Sequence, residues 1–536
     1  MRRPKKTNKG DFLLYNDHKL PSNRRDFLAS GMIGLSTSVF LPSLTTMMMQ
    51  SPAYAQSMGC SELASSCGVP YICIEGAGGM NIAGGNVMVG FERGGDQTDV
   101  DGPGTTAGDF IRLGIPASQH PSKTASQMMD NSYGLVFHRN SGILAGMNSV
   151  LNGVLVNGKD IKTMIDGLII CTRTGDDTNS NPTNTVYMAQ KCGAEGQLVQ
   201  LIGDSNTDSG ARSAAPSSQI DLTKRPSQIR SFTDSEGLLS IGDAIMGNGS
   251  LNASAGDAGT ARMQEFLKRV SGMSKSRLEE FKRQPASVQM AVGLEGALDG
   301  TSNLFNKFSP VALNPANAAN NSGDLAILQQ AFGGTGNNVD DQRVASVGNL
   351  VLNRIAGAGS VTVGGCDYHN GSAATGERKD EEIGRYIGKL IRLASLKGQN
   401  LFLHLYTDGG VTGDSGGLTD DTPEGKGKVV WTSDSGTRSA AVLIIYKHDS
   451  DGSSLIRDNE TRQIGNYIKG GGADLAATSA SNNMDNLWKA IILNYLATMD
   501  TTGDKAAIIN KFESIFGRGS APNGASDFIR FKSLVA

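Results

Sequence analysis

Asp380-Glu381-Glu382-Ile383-Gly384-Arg385-Tyr386-Ile387-Gly388-Lys389-Leu390-Ile391-Arg392-Leu393-Ala394-Ser395-Leu396-Lys397-Gly398-Gln399-Asn400-Leu401-Phe402-Leu403-His404-Leu405-Tyr406 is the stretch that sets the fold class. Ile383, Tyr386, Ile387, Leu390, Ile391 and Ala394 recur at helical spacing and form one apolar stripe. Gly398 supplies the stop. Asn400 to Tyr406 then follows at once as a nearly continuous apolar run. A helix passing directly into such a run is a packed α/β step, and the run reads as a strand covered on both faces.

Similar runs lie elsewhere: Val69 to Ile74, Gly167 to Cys171, Leu198 to Ile202 and Ala440 to Tyr446. Together they predict an α/β fold with a mostly parallel sheet and helices on both faces. Further helices are predicted over Met263–Met273, from a capping box at Ser276-Arg277-Leu278-Glu279, and over Asp485–Met499 and Asp504–Phe516. Residues 204–260 and 314–336 are rich in small and polar residues, with a short helix around Leu325 to Phe332. The stretch from about 216 to 345 therefore reads as a helical and loop-rich insertion on the α/β body.

The first residues read as an export signal. Asn23-Arg24-Arg25-Asp26-Phe27-Leu28 carries the paired arginines read by the twin-arginine translocase. A mildly apolar stretch from Met32 to Met49 follows, and Ala53-Tyr54-Ala55 supplies a small-x-small cleavage site. The expected mature protein is residues 56–536, periplasmic or secreted, with no stable membrane span. The first 55 residues hold eight Lys/Arg and three Asp/Glu; removing them from totals of 49 and 52 leaves 41 and 49, a formal charge of −8. That balance argues against a nucleic-acid partner.

All six cysteines lie beyond the cleavage site. In an oxidising compartment Cys60 could close a small loop with Cys67, and Cys171 could pair with Cys192. Cys73 and Cys366 read as buried thiols. Of the two tryptophans, Trp488 lies on the apolar face of a helix and reads as core, so nothing marks a carbohydrate platform.

Candidate chemistry lies in the C-terminal half. Only five histidines follow the signal, and no GxSxG elbow, P-loop or dinucleotide fingerprint sits in a strand-turn-helix setting. Gly364-Gly365-Cys366-Asp367-Tyr368-His369 follows the apolar Val361 to Val363. Tyr406-Thr407-Asp408-Gly409-Gly410 ends the next strand, and Asp434-Ser435-Gly436 precedes another. Sites in open α/β sheets form outside the carboxyl ends of strands, where Asp367, His369 and Asp408 can converge.

These segments resemble an uncharacterised family of twin-arginine-exported bacterial proteins, distantly related to sulfatases and alkaline phosphatases. Ile72-Cys73-Ile74-Glu75-Gly76-Ala77-Gly78-Gly79-Met80-Asn81 fills the place of the family's strand and Gly-Gly-x-Asp turn. Gly134 to His138 with Ile143 to Met147 is similar to its Gly-Leu-His-Pro segment. Thr183-Asn184-Thr185-Val186-Tyr187-Met188-Ala189-Gln190 stands for its Ser-Arg-Ser-His-Phe-x-Ala-Gln stretch. Gly364 to His369, Tyr406 to Gly410 and Ser433 to Gly436 stand for the three later motifs.

The resemblance implies an alkaline-phosphatase-like sheet. It also implies a metal site drawn from Asp367, His369, Asp408 and Asp434, with Thr183 or Thr185 in the nucleophile's place. It departs at Asn81, Ser435 and the nucleophile segment, so two histidine-rich zinc sites are not expected. One hard divalent ion such as calcium or magnesium suits the oxygen donors better. The resulting expectation is weakened or absent catalysis and a binding or assembly role with an envelope protein partner. The competing expectation is a metal-dependent hydrolase of phosphate or sulfate esters.

Overall fold

The structure, a computed structural model, describes residues 68–100, 107–121, 126–174, 184–196, 199–239, 324–333 and 338–535. The predicted export signal, Cys60, Cys67, Thr183 and the helices predicted between Met263 and Glu279 lie outside the described residues.

The central sheet has eight strands. In chain order they are β1 (Tyr71–Gly76), β2 (Ile165–Thr172), β3 (Val199–Gly203), β4 (Ser227–Gln228), β5 (Ala356–Val363), β6 (Leu401–Thr407), β7 (Ser439–Tyr446) and β8 (Gln463–Ile464). Their spatial order is β4-β3-β5-β1-β6-β7-β2-β8. Only β7 runs antiparallel to its neighbours β6 and β2; the remaining pairings are parallel. The five apolar runs of the sequence all become sheet strands, shifted by one or two residues.

Side chains alternate across each strand, so the two faces of the sheet build two cores. Ile72 and Ile74 of β1 join Leu401, Leu403 and Leu405 of β6 on one face. That face is covered by α1 (Gly142–Leu151), α3 (Asp324–Phe332), α4 (Val339–Leu352) and α5 (Ala374–Leu396). Tyr71, Cys73, Phe402 and Tyr406 face the other way, towards α2 (Val186–Lys191), α6 (Met484–Thr498) and α7 (Lys505–Phe516). Trp488 lies in this second core, as its position on the helix predicts.

The long helix α5 packs against α1 through glycine rows spaced four residues apart. A Cβ at Gly146 would come within 2.1 Å of the Glu381 carbonyl, and one at Gly384 within 2.0 Å of the Ile143 carbonyl. Backbone-to-backbone approach of this kind needs glycine on both helices.

One expectation changes. Cys171 and Cys192 are separate, buried, free thiols. Cys171 sits in the α5-side core and Cys192 in the α6-side core, so the sheet stands between them. Among the described residues no disulfide forms. α4 is a continuous helix capped by Asn338 and packed on the sheet. No helix among the described residues is long and apolar enough to cross a membrane.

Candidate metal centre at the carboxyl ends of the central strands

The order β6-β1-β5 places the carboxyl ends of three parallel strands side by side. β1 leaves through Gly76-Ala77-Gly78-Gly79, and the two neighbouring loops close on that turn from either side. Gly78 has φ +111°, and a Cβ there would stand 2.6 Å from the Asp367 Cβ. Its amide donates to Asp408 Oδ1 at 2.7 Å. Only glycine meets both the backbone angle and the crowding.

Asp367 and His369 follow β5, with Tyr368 between them turned inward and fully buried. The Tyr368 hydroxyl accepts from the Asn81 amide at 2.5 Å and donates to Asp380 Oδ1 on α5 at 3.1 Å. Asp380 is also held by Asn86 at 2.6 Å. Burial and the nearby Glu377 carboxylate push the Asp380 carboxyl well up from its ordinary range. The balancing charge comes from Lys428, buried and paired with Glu377, and from Lys426, 3.1 Å from Glu377 Oε2. The Asp-Tyr-His segment is thus pinned at its middle residue, which leaves its two outer side chains at the surface.

Asp434 arrives from a short hairpin in which Trp431–Asp434 pairs with Val411–Gly413. His369 Nε2 lies 2.8 Å from Asp367 Oδ1 and 3.2 Å from Asp434 Oδ1. One ligand atom from each of the three residues lies within 4.8 Å of the others. Their side chains are 46%, 36% and 39% exposed for Asp367, His369 and Asp434. Donors bound at about 2.1 Å and set at right angles are about 3 Å apart, close to these spacings. Two carboxylate oxygens and one imidazole nitrogen therefore fit a single divalent ion, with positions left for water.

Among the described residues no second group of three such ligands stands beside it. Asp408 stands across Gly78, engaged by the Gly78 amide, and is not one of the three. Asn81 is buried and its side-chain amide donates to the Ala83 carbonyl. The Ser435 hydroxyl accepts from Arg438.

Thr185 is not brought to this cluster. It sits at the start of α2, fully buried, in a chain that joins Tyr71, Cys73 and His404. Its Oγ1 is 2.5 Å from the Tyr71 hydroxyl and 3.0 Å from His404 Nδ1. His404 is four residues before Asp408, about 13 Å along a strand. Burial lowers the His404 imidazole to about 3 and raises the Cys73 thiol to about 11, so both are neutral and unreactive.

One further acid stands between the two regions. Glu75, at the end of β1, is fully buried and accepts from Ser213 Oγ, from Thr362 Oγ1 at 3.0 Å and from the Arg212 amide at 3.0 Å. Burial, with a smaller contribution from Asp408, raises its carboxyl to about 7 despite those donors. The signal for Glu75 and for His404 in the sequence is a single ionisable residue inside an apolar strand. Tyr368, Asp380 and Lys428 carry no such signal, because their partners come from distant segments.

Set against protein-family models, curated proteins and solved structures, the chain finds no match in any of the three.

Proposed function

We propose that this chain is exported by the twin-arginine route, and that its folded part is a single-cation binding protein on an alkaline-phosphatase-like α/β body. In this reading hydrolysis is weak or lost and the role is binding or assembly with another envelope protein. The observation that carries it is the meeting of Asp367, His369 and Asp434 at the carboxyl ends of β5 and β6. Support for the fold assignment is the sheet with one reversed strand and helices on both faces. Support for weak catalysis is the burial of Thr185 in its own hydrogen-bonded chain, away from the three ligands.

The test is a metal analysis of protein purified from the periplasm, followed by calorimetric titration with calcium, magnesium, manganese and zinc. The expected outcome is one equivalent of bound ion, lost in His369→Ala, with no turnover of aryl phosphate or aryl sulfate. Two bound transition metals with turnover would restore the ester hydrolase reading. A protein that takes up none of the four ions would end the metal reading.

A further inference from the structure

A second feature lies beyond the Asp434 hairpin and uses none of the three candidate ligands. The turn Ile468-Lys469-Gly470-Gly471 is flanked by two arginines. Arg438, at the start of β7, donates from Nη2 to the Gly470 carbonyl at 2.9 Å and from Nη1 to Ser435 Oγ at 3.1 Å. Arg112 approaches the other side: a Cβ on Gly471 would lie 3.1 Å from the Arg112 Cβ. Among the described residues, the one hydrogen bond of the Arg112 guanidinium is a long contact of 3.4 Å to the Gly413 carbonyl.

Neither guanidinium has a carboxylate partner among the described residues. The Asp109 carboxylate nearby accepts from the Gly470 amide at 2.6 Å instead. Both arginines are partly buried, and the Nε of Arg438 is enclosed without an acceptor. Most of the five N–H donors on each group are left for something else. Burial and the repulsion of Arg112 together hold Arg438 below its ordinary value. Lys469 adds a third positive charge at the same turn. Partly buried arginines are ordinarily paired, and among the described residues the acceptors of these two, which flank one turn, are carbonyl and hydroxyl oxygens.

We propose that Arg112 and Arg438 form an oxyanion-binding site at the Lys469–Gly471 turn, separate from the Asp367-His369-Asp434 cluster, that takes a phosphate, sulfate or carboxylate group. Bidentate guanidinium geometry matches such groups, and charge-assisted bonds supply the affinity.

The test is calorimetric titration of the folded mature protein with sodium phosphate at low ionic strength, with and without a chelator. The expected result is one phosphate bound, weakened by added salt and indifferent to chelator and to His369→Ala. Arg112→Gln and Arg438→Gln should each weaken it about tenfold or more, with Arg438→Lys in between. If Arg438→Gln does not fold, Arg112→Gln decides between the outcomes. Failure of wild-type protein to bind millimolar phosphate would overturn the proposal. So would binding that vanishes in His369→Ala or with chelator while surviving both arginine changes, since the anion would then sit on the metal. Loss of cation binding alone, with phosphate binding intact, would sink only the metal reading.

Discussion

Two clusters of polar side chains gather around the central strands β5, β1 and β6, and they have opposite character. Asp367, His369 and Asp434 stand above the carboxyl ends of the sheet, between a third and a half exposed. Tyr71, Cys73, Thr185, His404 and Glu75 lie within the sheet's α6-side layer, fully buried. In the upper cluster His369 touches both carboxylates, and the three side chains remain open to solvent. In the lower one most polar atoms have been answered by other side chains, and the ionisable groups are held neutral or pushed towards neutrality. The difference teaches that residue type does not make a site. A histidine and carboxylates above a strand end remain available to a ligand, whereas the same chemistry a few residues earlier is consumed by the fold.

This contrast can be broken by substitution, and the largest effect should come from the charge network under the upper cluster. Lys428→Met removes the buried cation beside Glu377 and Asp380, so a loss of about 3–5 kcal/mol is expected in denaturant unfolding. A loss below 1 kcal/mol would mean that water reaches those carboxylates.

Glu75 comes next, through pH. Its folded value of about 7 lies above its ordinary 4.5, so the folded state holds the proton more tightly. Its contribution is fully present below pH 4.5 and is lost as pH rises through 7, on the order of 3 kcal/mol in all. Glu75→Gln should flatten that part of the stability profile between pH 4.5 and 7. An unchanged slope would show that Glu75 is hydrated.

Gly78→Ala tests the seam between the clusters. Its positive φ and the 2.6 Å approach to Asp367 predict a cost of about 1–3 kcal/mol and weaker cation binding. Thr185→Val should cost about 1–2 kcal/mol, since it unpairs Tyr71 and His404; cation affinity measured by calorimetry should not move. The smallest stability effect belongs to His369→Ala. Exposed ion pairs contribute little, so its unfolding free energy should shift by less than about 0.5 kcal/mol while cation binding disappears. A large stability loss there would make the upper cluster structural and end the comparison.

The fold was more legible than the site. The five apolar runs and the amphipathic α5 are local signals, readable because strand and helix periods are written in consecutive residues. The approach of Asp367, His369 and Asp434 was legible only as far as each lies near a strand end. What ranks them above Asp408 is a detail of packing: the Gly78 amide engages Asp408, while the hairpin from Val411 to Asp434 carries the third ligand inward. Thr185 and Asp408 are of the residue types expected of a site, and nothing local marks them as already occupied.

By itself, the sequence determined the α/β class, the strand runs and helix stripes, and the candidate acids at strand ends, because these depend on neighbours along the chain. Only the tertiary structure decided which strand lies beside which and which face of the sheet each cysteine enters. It also decided that Tyr368 anchors on Asp380 and that Arg112 and Arg438 flank one glycine turn. Those outcomes depend on contacts between residues from a dozen to hundreds of positions apart, and most of them are fixed only when the whole sheet closes its two cores.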